Sequence, residues 1–442
     1  MSFPTNTYVG MTDRLSKVAY PGGASANYLY FPNAQNKRLQ QIKNLNSSSA
    51  LISQFDYTYD VEGEITTWKK NYAGLAAPQR FDLGYDNADQ LLTAPAKNAN
   101  TNALIKQYTY GYDLASNRTS ELVATTATTS NPNNVNEITS QTGGVNRTLS
   151  YDLNGSITSD GGTRTFEWDG ANRLVAINYT GFTTRSEFTY DGLSRLVKIV
   201  EKTGATINST RKIVWCGREK CEFRDATGAV TQRNYREGQY VGTTAYFYTR
   251  DHLGSIREMF TGGGTVVARY DYDPYGRSTT VLGTTPTDFN FTGHYRHSKS
   301  NLDLAVYRAY DPDLGRWLSR DPLQDAEMKQ GPNLYSYVQN NPANTIDPDG
   351  RVGVITIEFS MGDVRGPYYY EAQGYDPRGD GIGGCRPCKL NCVTIKTGHS
   401  SRVDFSGPDG YLHRLGPNTI YIYCDERPDC TVRRYGAGGI TG

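Results

Sequence analysis

Apolar and polar residues alternate over short runs along most of this chain, the period of a strand with one face buried and the other exposed. In "FEWDGANRLVAIN", Phe166 and Trp168 alternate before a turn, and Leu174 and Ala176 alternate after it. Few segments carry helical spacing over the length of a helix. One recurring signal punctuates the strand runs: an aromatic residue, Asp, two or three turn residues, Arg or another polar residue, then a new apolar run. It begins at Tyr59, Tyr85, Tyr112, Tyr151, Trp168, Tyr190 and Tyr272. As far as Tyr190, roughly 17 to 40 residues separate neighbours, a spacing typical of repeat architectures. Each repeat reads as a hairpin, in which Asp accepts backbone hydrogen bonds and Gly or Asn takes the position that needs positive φ. A single hairpin is not stable alone, so the repeats must stack edge to edge into a continuous sheet. Alternation alone leaves open whether the repeat aromatics face inward or outward.

Composition agrees with an all-β chain. Among 442 residues there are 34 Tyr and 46 Gly but only 5 Met and 4 Trp, and Tyr favours strands as Gly favours turns. The length suggests two or three domains. A formal net charge of +1 implies no global attraction to nucleic acid or to an anionic membrane. The early cluster Lys37, Arg38 and Lys43 reads as a solvated face, not a nucleic-acid site, because no aromatic-basic groove pattern surrounds it. Mean hydropathy is −0.61, and without a long apolar run no transmembrane helix is expected. Met1 to Tyr20 lacks the apolar stretch of a signal peptide, so none is expected.

The repeat fades near residue 290 and is absent after residue 351. Between them, "LSRDPLQDAEMKQGPNLYSYVQNNPANTIDPDGR" opens with Arg320-Asp321-Pro322 and ends with Asp347-Pro348-Asp349-Gly350. By local chemistry alone the second motif is a turn, Asp311-Pro312-Asp313-Leu314-Gly315 is another, and Arg320 with Asp321 is a surface ion pair. In residues 352–442, "VGVITIEFSMG" reads as a buried strand and a turn. Cys385, Cys388, Cys392, Cys424 and Cys430 follow, which suit either disulfides of a small exported domain or a zinc site. Cys216 and Cys221 flank a short loop, as a cross-strand disulfide or as two unpaired cysteines. His399, Arg402, Asp404 and His413 offer the acid, base and phosphate-binding groups of a metal-independent nuclease, or are exposed loop residues. His252, His294 and His297 show no metal spacing and read as structural. A carbohydrate-processing enzyme is disfavoured, because the Asp residues recur at turns and not as pairs in a cleft.

The aromatic–Asp repeats resemble the RHS/YD-repeat family of bacterial RHS proteins, C components of insecticidal toxin complexes and teneurins. The most specific stretches are "RDHLGSIREMF" from Arg250, "YDYDPYGRS" from Tyr270, "FTGHYRHSKSNLDLAVYRAYDPDLGRWLSRDP" from Phe291 and "GPNLYSYVQNNPANTIDPDG" from Gly331. These are similar to the RHS-associated core domain. The resemblance implies an all-β fold of stacked hairpins spiralling into a hollow or partial shell over residues 1–289. It also implies an irregular core plug over 290–351 and a variable segment over 352–442, carried as cargo. In toxin-carrying relatives the core is an intramolecular aspartic-type protease. The match places its carboxylates at Asp321 and Asp347, an assisting cation at Arg320, and the cut between Arg351 and Val352. Two carboxylates held together share a proton, so one acts as a base on water and the other as an acid. Two departures stand out: Arg351 occupies a position where the family usually has Leu, and "LQDAEMKQGPN" is longer than the usual link and adds Asp325 and Glu327. The implied function is an exported bacterial shell protein carrying a C-terminal effector, with another shell or secretion component as partner. The alternative is an uncleaved surface protein whose repeats bind proteins or carbohydrates. Neither reading requires a cofactor, a membrane span or nucleic acid bound by the shell.

Overall fold

The computed structural model describes residues 4–10, 12, 14–181, 183–283 and 287–351, and beyond residue 351 the backbone of six short strands. The repeat turns follow their local chemistry. The Asp169 carboxylate accepts the amides of Ala171 and Arg173 at 2.9 and 3.0 Å, and Asp191 accepts those of Leu193 and Arg195. The third residue after each Asp is left-handed: Gly155 at φ 80°, Asn172 at 55° and Ser194 at 60°. Serine is tolerated there although the backbone costs about 1–2 kcal/mol, because the Asp side chain satisfies the turn's amides. A bulge just before each aromatic, as between Glu167 and Trp168, sets Trp168 opposite Leu174 and Tyr190 opposite Leu196.

Stacking is enforced by the aromatic tips. Tyr59, Tyr85, Tyr112, Tyr151 and Tyr190 donate their hydroxyls to the carbonyls of Leu39, Ile65, Leu91, Ile138 and Leu174, at 2.7–3.1 Å. Trp168 and Trp215 do the same with Nε1, to Ile157 and Leu196. Each acceptor is the residue that opens the strand after an earlier turn, so every repeat is tied to its predecessor. Tyr and Trp combine an apolar body with a polar handle, and each such bond contributes about 1 kcal/mol. Tyr151, Trp168, Tyr190 and Trp215 pack on a buried cluster that includes Leu302, Leu304 and Leu318 of the core segment. The repeat aromatics therefore face inward.

The strands form antiparallel sheets of nine, seven and fourteen strands. The nine-stranded sheet starts at Thr5–Tyr8, and the fourteen-stranded sheet runs in strict chain order from Ser150–Tyr151 to Ser278–Leu282. The ribbon divides where Ala96–Asn98 returns to Gln79–Asp82 while Leu91–Thr93 pairs with Gly84–Tyr85 and Tyr108–Tyr112. Cys216 and Cys221 form a disulfide across a hairpin, with Cα atoms 5.7 Å apart.

Residues 287–351 form the core segment. A small sheet of Tyr295–His297, Leu302–Leu304, Ala309–Asp311 and Arg316–Trp317 leads to the short helix Ala326–Gln330 and then to irregular chain. Its asparagines explain its composition, because they track the row of repeat turns. Asn344 accepts the Ile65 amide and Asn341 donates to Glu64. Asn340 donates to Gln90 and the Ser116 carbonyl, and Asn333 to Asn117. Tyr335 then reaches the Gly155 carbonyl at 2.8 Å. The segment is thus a lining built on the turns of the shell. The three histidines read as structural are hydrogen-bonded within the fold: His252 to the Ala343 carbonyl, His294 to the Asp347 carbonyl, and His297 to Glu201 and Ser300.

The chain divides into two units, residues 1–359 and 360–442. In the second, Tyr370–Gln373 pairs with Lys389–Lys396, which pairs with Ile420–Cys424, and Val403–Ser406 pairs with Leu412–Leu415. No helix among the described residues is long and apolar enough to cross a membrane.

Candidate active site

Three elements of the core segment converge on one buried charge cluster. Arg308 stands at the head of strand Ala309–Asp311, Asp321 follows strand Arg316–Trp317, and Asp347 follows strand Thr345–Ile346. Arg308 Nη2 lies 2.7 Å from Asp321 Oδ2 and 3.1 Å from Asp347 Oδ2. One nitrogen thus touches both carboxylates, which cannot be farther apart than these two bonds laid end to end. The three side chains are 1%, 0% and 3% exposed.

The rest of each side chain is anchored. Asp321 accepts the Leu323 amide at 2.8 Å and the Gln330 side chain at 3.0 Å. Asp347 Oδ1 accepts the amides of Gly350 and Arg351 at 2.9 and 3.1 Å, as in a repeat turn. Arg308 donates from Nε to the Gly350 carbonyl and from Nη1 to the Leu334 carbonyl, and its guanidinium lies 4.4 Å from the Trp317 ring centre. Gly350 has φ +81°, and a Cβ there would lie 3.0 Å from the Arg308 amide nitrogen. A narrow cleft beside Arg308 is walled by Trp168, Leu174, Tyr190 and Leu196 of the shell and by residues 304–309.

The electrostatics follow from this geometry. One cation cannot neutralise two buried carboxylates, so a proton is favoured on one of them. Burial pushes the Asp347 carboxyl up to about 6, with Arg308 opposing and with Asp349 and Asp321 adding to the rise. Burial also lowers the Arg308 guanidinium, against the pull of Asp347 and Asp321. The arrangement can supply an acid, a base and a fixed positive charge in one water-poor site.

The structure brings Asp321 and Asp347 together but leaves Arg320 on the surface, 47% exposed and 2.8 Å from Glu327. The cation between the carboxylates is Arg308, which sequence reasoning missed. The available signal was physical: two buried carboxylates need a counter-charge. Glu327 is engaged by Arg320, and Asp325 begins the short helix. Arg351 extends over the Tyr307 ring, with Asp349 beside it. Val352, Cys385, Cys388, His399, Arg402 and Cys430 lie outside the described residues. Cys392 stands opposite Cys424, Asp404 opposite Arg414 and His413 opposite Phe405 in strand register. Among the described residues, no group of three or more potential ligands is placed to hold a metal ion.

The family model described as the teneurin YD-shell matches residues 33–209 and 236–343, which include most of the shell and of the core segment. The chain belongs to the teneurin YD-shell family. Salivary gland surface protein 1 of Aedes aegypti is 37% identical over 121 residues, 27% of this chain and 3% of that protein. The tRNA nuclease WapA of Bacillus subtilis is 28% identical over 220 residues, 46% of this chain and 9% of that protein. Toxin protein Tse5 of Pseudomonas aeruginosa is 26% identical over 239 residues, 44% and 18% of the two chains. The matches thus span less than a fifth of these relatives' own lengths. Among solved structures, TcdB2-TccC3 superposes with a TM-score of 0.62 at 18% identity, over 79% of this chain and 20% of that one. The Photorhabdus luminescens Tc holotoxin pore gives 0.63 at 19% identity, over 81% and 20%. This YD-shell chain therefore shares the RHS shell fold and has toxin relatives.

Proposed function

We propose that this YD-shell chain cuts itself once, after Arg351, and so frees residues 352–442 as a cargo segment. The observation that carries the reading is the buried Asp321–Arg308–Asp347 cluster, which ends one turn before the expected cut. In the proposed step, Asp321 takes a proton from a water, whose oxygen attacks the Arg351 carbonyl carbon. Asp347, protonated, gives its proton to the departing nitrogen of Val352, leaving a carboxylic acid on Arg351, which then releases its proton, and a new amine on Val352. Arg308 holds the carboxylates in place and favours negative charge developing nearby. Substrate and catalyst share one chain, so no binding step is needed.

Relatives named as nucleases and toxins support an effector role for the freed segment, with His399, Arg402, Asp404 and His413 as its candidate chemistry. They also support action outside the producing cell, with a further shell or secretion component as partner. The test is intact mass and denaturing electrophoresis of the purified chain. Two fragments parting between Arg351 and Val352 are expected, and a single chain in Asp321→Asn and Asp347→Asn. A wild-type chain that stays whole after long incubation overturns the proposal. It would favour the uncleaved surface-protein reading, which the relation to a salivary gland surface protein supports.

A further inference from the structure

We propose that Tyr307 and Asp349 form a recognition site for the arginine side chain at the cut, so that this shell reads a guanidinium there. The inference rests on the self-cleavage reading and concerns which side chain that reaction accepts. The Arg351 guanidinium lies 3.7 Å from the Tyr307 ring centre, and its Nη2 is 3.1 Å from Asp349 Oδ2. The same Asp349 carboxylate accepts the Arg351 amide at 3.1 Å. A planar cation stacked on a ring and held at its edge by a carboxylate is a geometry suited to Arg, not to Leu or Lys.

The backbone joins this site to the charge cluster. The Tyr307 amide donates to the Asp349 carbonyl at 3.0 Å, and the next residue, Arg308, donates to the Gly350 carbonyl. Two successive residues of one segment thus grip two successive carbonyls just before the expected cut. A shift of the Arg351 side chain is transmitted to the peptide that Arg308 holds. Arg351 Nε is buried and makes no hydrogen bond among the described residues. The side chain is therefore held by ring and carboxylate together, and either one lost should release it.

The test is a double-mutant comparison of self-cleavage rates in the full chain, followed by electrophoresis after synthesis, with thermal midpoints measured alongside. Tyr307→Ala is expected to slow cutting about fivefold, the size of a cation–ring contact at a partly exposed site. In an Arg351→Ala background the same change should have less than about a twofold effect, because the contact is already gone. Should Arg351→Ala cut too slowly to follow, Arg351→Leu serves as the second background. Asp349→Asn, which keeps an acceptor for the Arg351 amide, should slow the wild-type chain more than the Arg351→Leu variant, where only the loss of its charge beside Asp347 remains. Equal slowing by Tyr307→Ala in both backgrounds, or none in either, overturns the inference while leaving self-cleavage standing. A wild-type chain that never cuts removes the self-cleavage reading and this inference with it.

Discussion

Replacing Arg308 with methionine tests the charge cluster directly. The side chain keeps an unbranched apolar stem but loses the cation over the Trp317 ring and every polar contact: both carboxylates and the carbonyls of Gly350 and Leu334. Removing one partner of a buried ion pair strands the other, at a cost of about 3–5 kcal/mol. Here two carboxylates are stranded, and Asp347, already raised by burial, escapes part of the cost by taking up a proton. Asp347 sits at about 6 even with Arg308 present, so in acid it is already neutral and its share of the cost is gone. A carboxyl raised above its unfolded value stabilises the fold below the unfolded pKa and loses that contribution as pH rises through the folded one. The deficit of Arg308→Met should therefore be near its full size at about pH 7.5 and roughly half that at about pH 5. By the size dependence of unfolding, the larger figure corresponds to a midpoint lower by roughly 5–10 °C. Thermal unfolding followed by near-UV circular dichroism reads it, on chains whose integrity is checked by mass. Arg308→Lys keeps the charge but not the fork, so its deficit should fall between. A variant as stable as wild type at both pH values would refute the argument that Arg308 neutralises the site.

The same geometry makes two further predictions. If Asp347 supplies the proton, self-cleavage should fall roughly twentyfold from about pH 5.5 to about pH 7.5, as a group near 6 loses its proton; a flat rate over that range, read by quenched time courses, removes Asp347 from the donor role. Gly350→Ala combines a left-handed backbone penalty of about 1–2 kcal/mol with a Cβ 3.0 Å from the Arg308 nitrogen and 3.1 Å from Ala305 Cβ, whereas Gly228→Ala at φ +95° meets nothing within 4 Å. Cutting should slow at least about tenfold in the first variant only, and equal rates in the two would show that the Gly350 carbonyl need not be held.

Much of the shell was legible because its turn chemistry is local. Asp169 and Asn172 show their roles within five residues of sequence, and the strand period puts Phe166 and Trp168 on one face without saying which way that face points. The ties between repeats were not legible. Whether Tyr190 donates to Leu174 depends on how one hairpin lies on another, and a phenylalanine would satisfy the same periodicity. Nor does the pattern show where the ribbon divides, because Leu91–Thr93 and Ala96–Asn98 are both runs of three residues with a proline between them, too short to carry a period. The asparagines of "NNPAN" read only as loop formers, although Asn340 and Asn344 each bond shell residues more than two hundred positions away.

The site shows why a local rule fails where chemistry begins. By the repeat's own logic, "DPDGR" is one more turn, with Asp347 in the Asp position, Gly350 left-handed and Arg351 four residues on. In the shell that Arg closes back on its Asp: Arg173 on Asp169 at 2.7 Å, Arg195 on Asp191 at 2.8 Å and Arg277 on Asp273 at 3.1 Å. Asp347 keeps half of the pattern, since Oδ1 accepts the turn amides. Its other oxygen goes to Arg308, 39 residues earlier, and Arg351 is turned away to Tyr307 and Asp349. The exchange moves the carboxylate from a partly exposed local pair, such as that of Asp169 or Asp191, into a buried cluster where protonation near neutrality becomes accessible. The candidate site is thus a repeat turn whose ion pair has been rewired. Nothing in the spacing of its five residues records that change, because its cause lies on another strand.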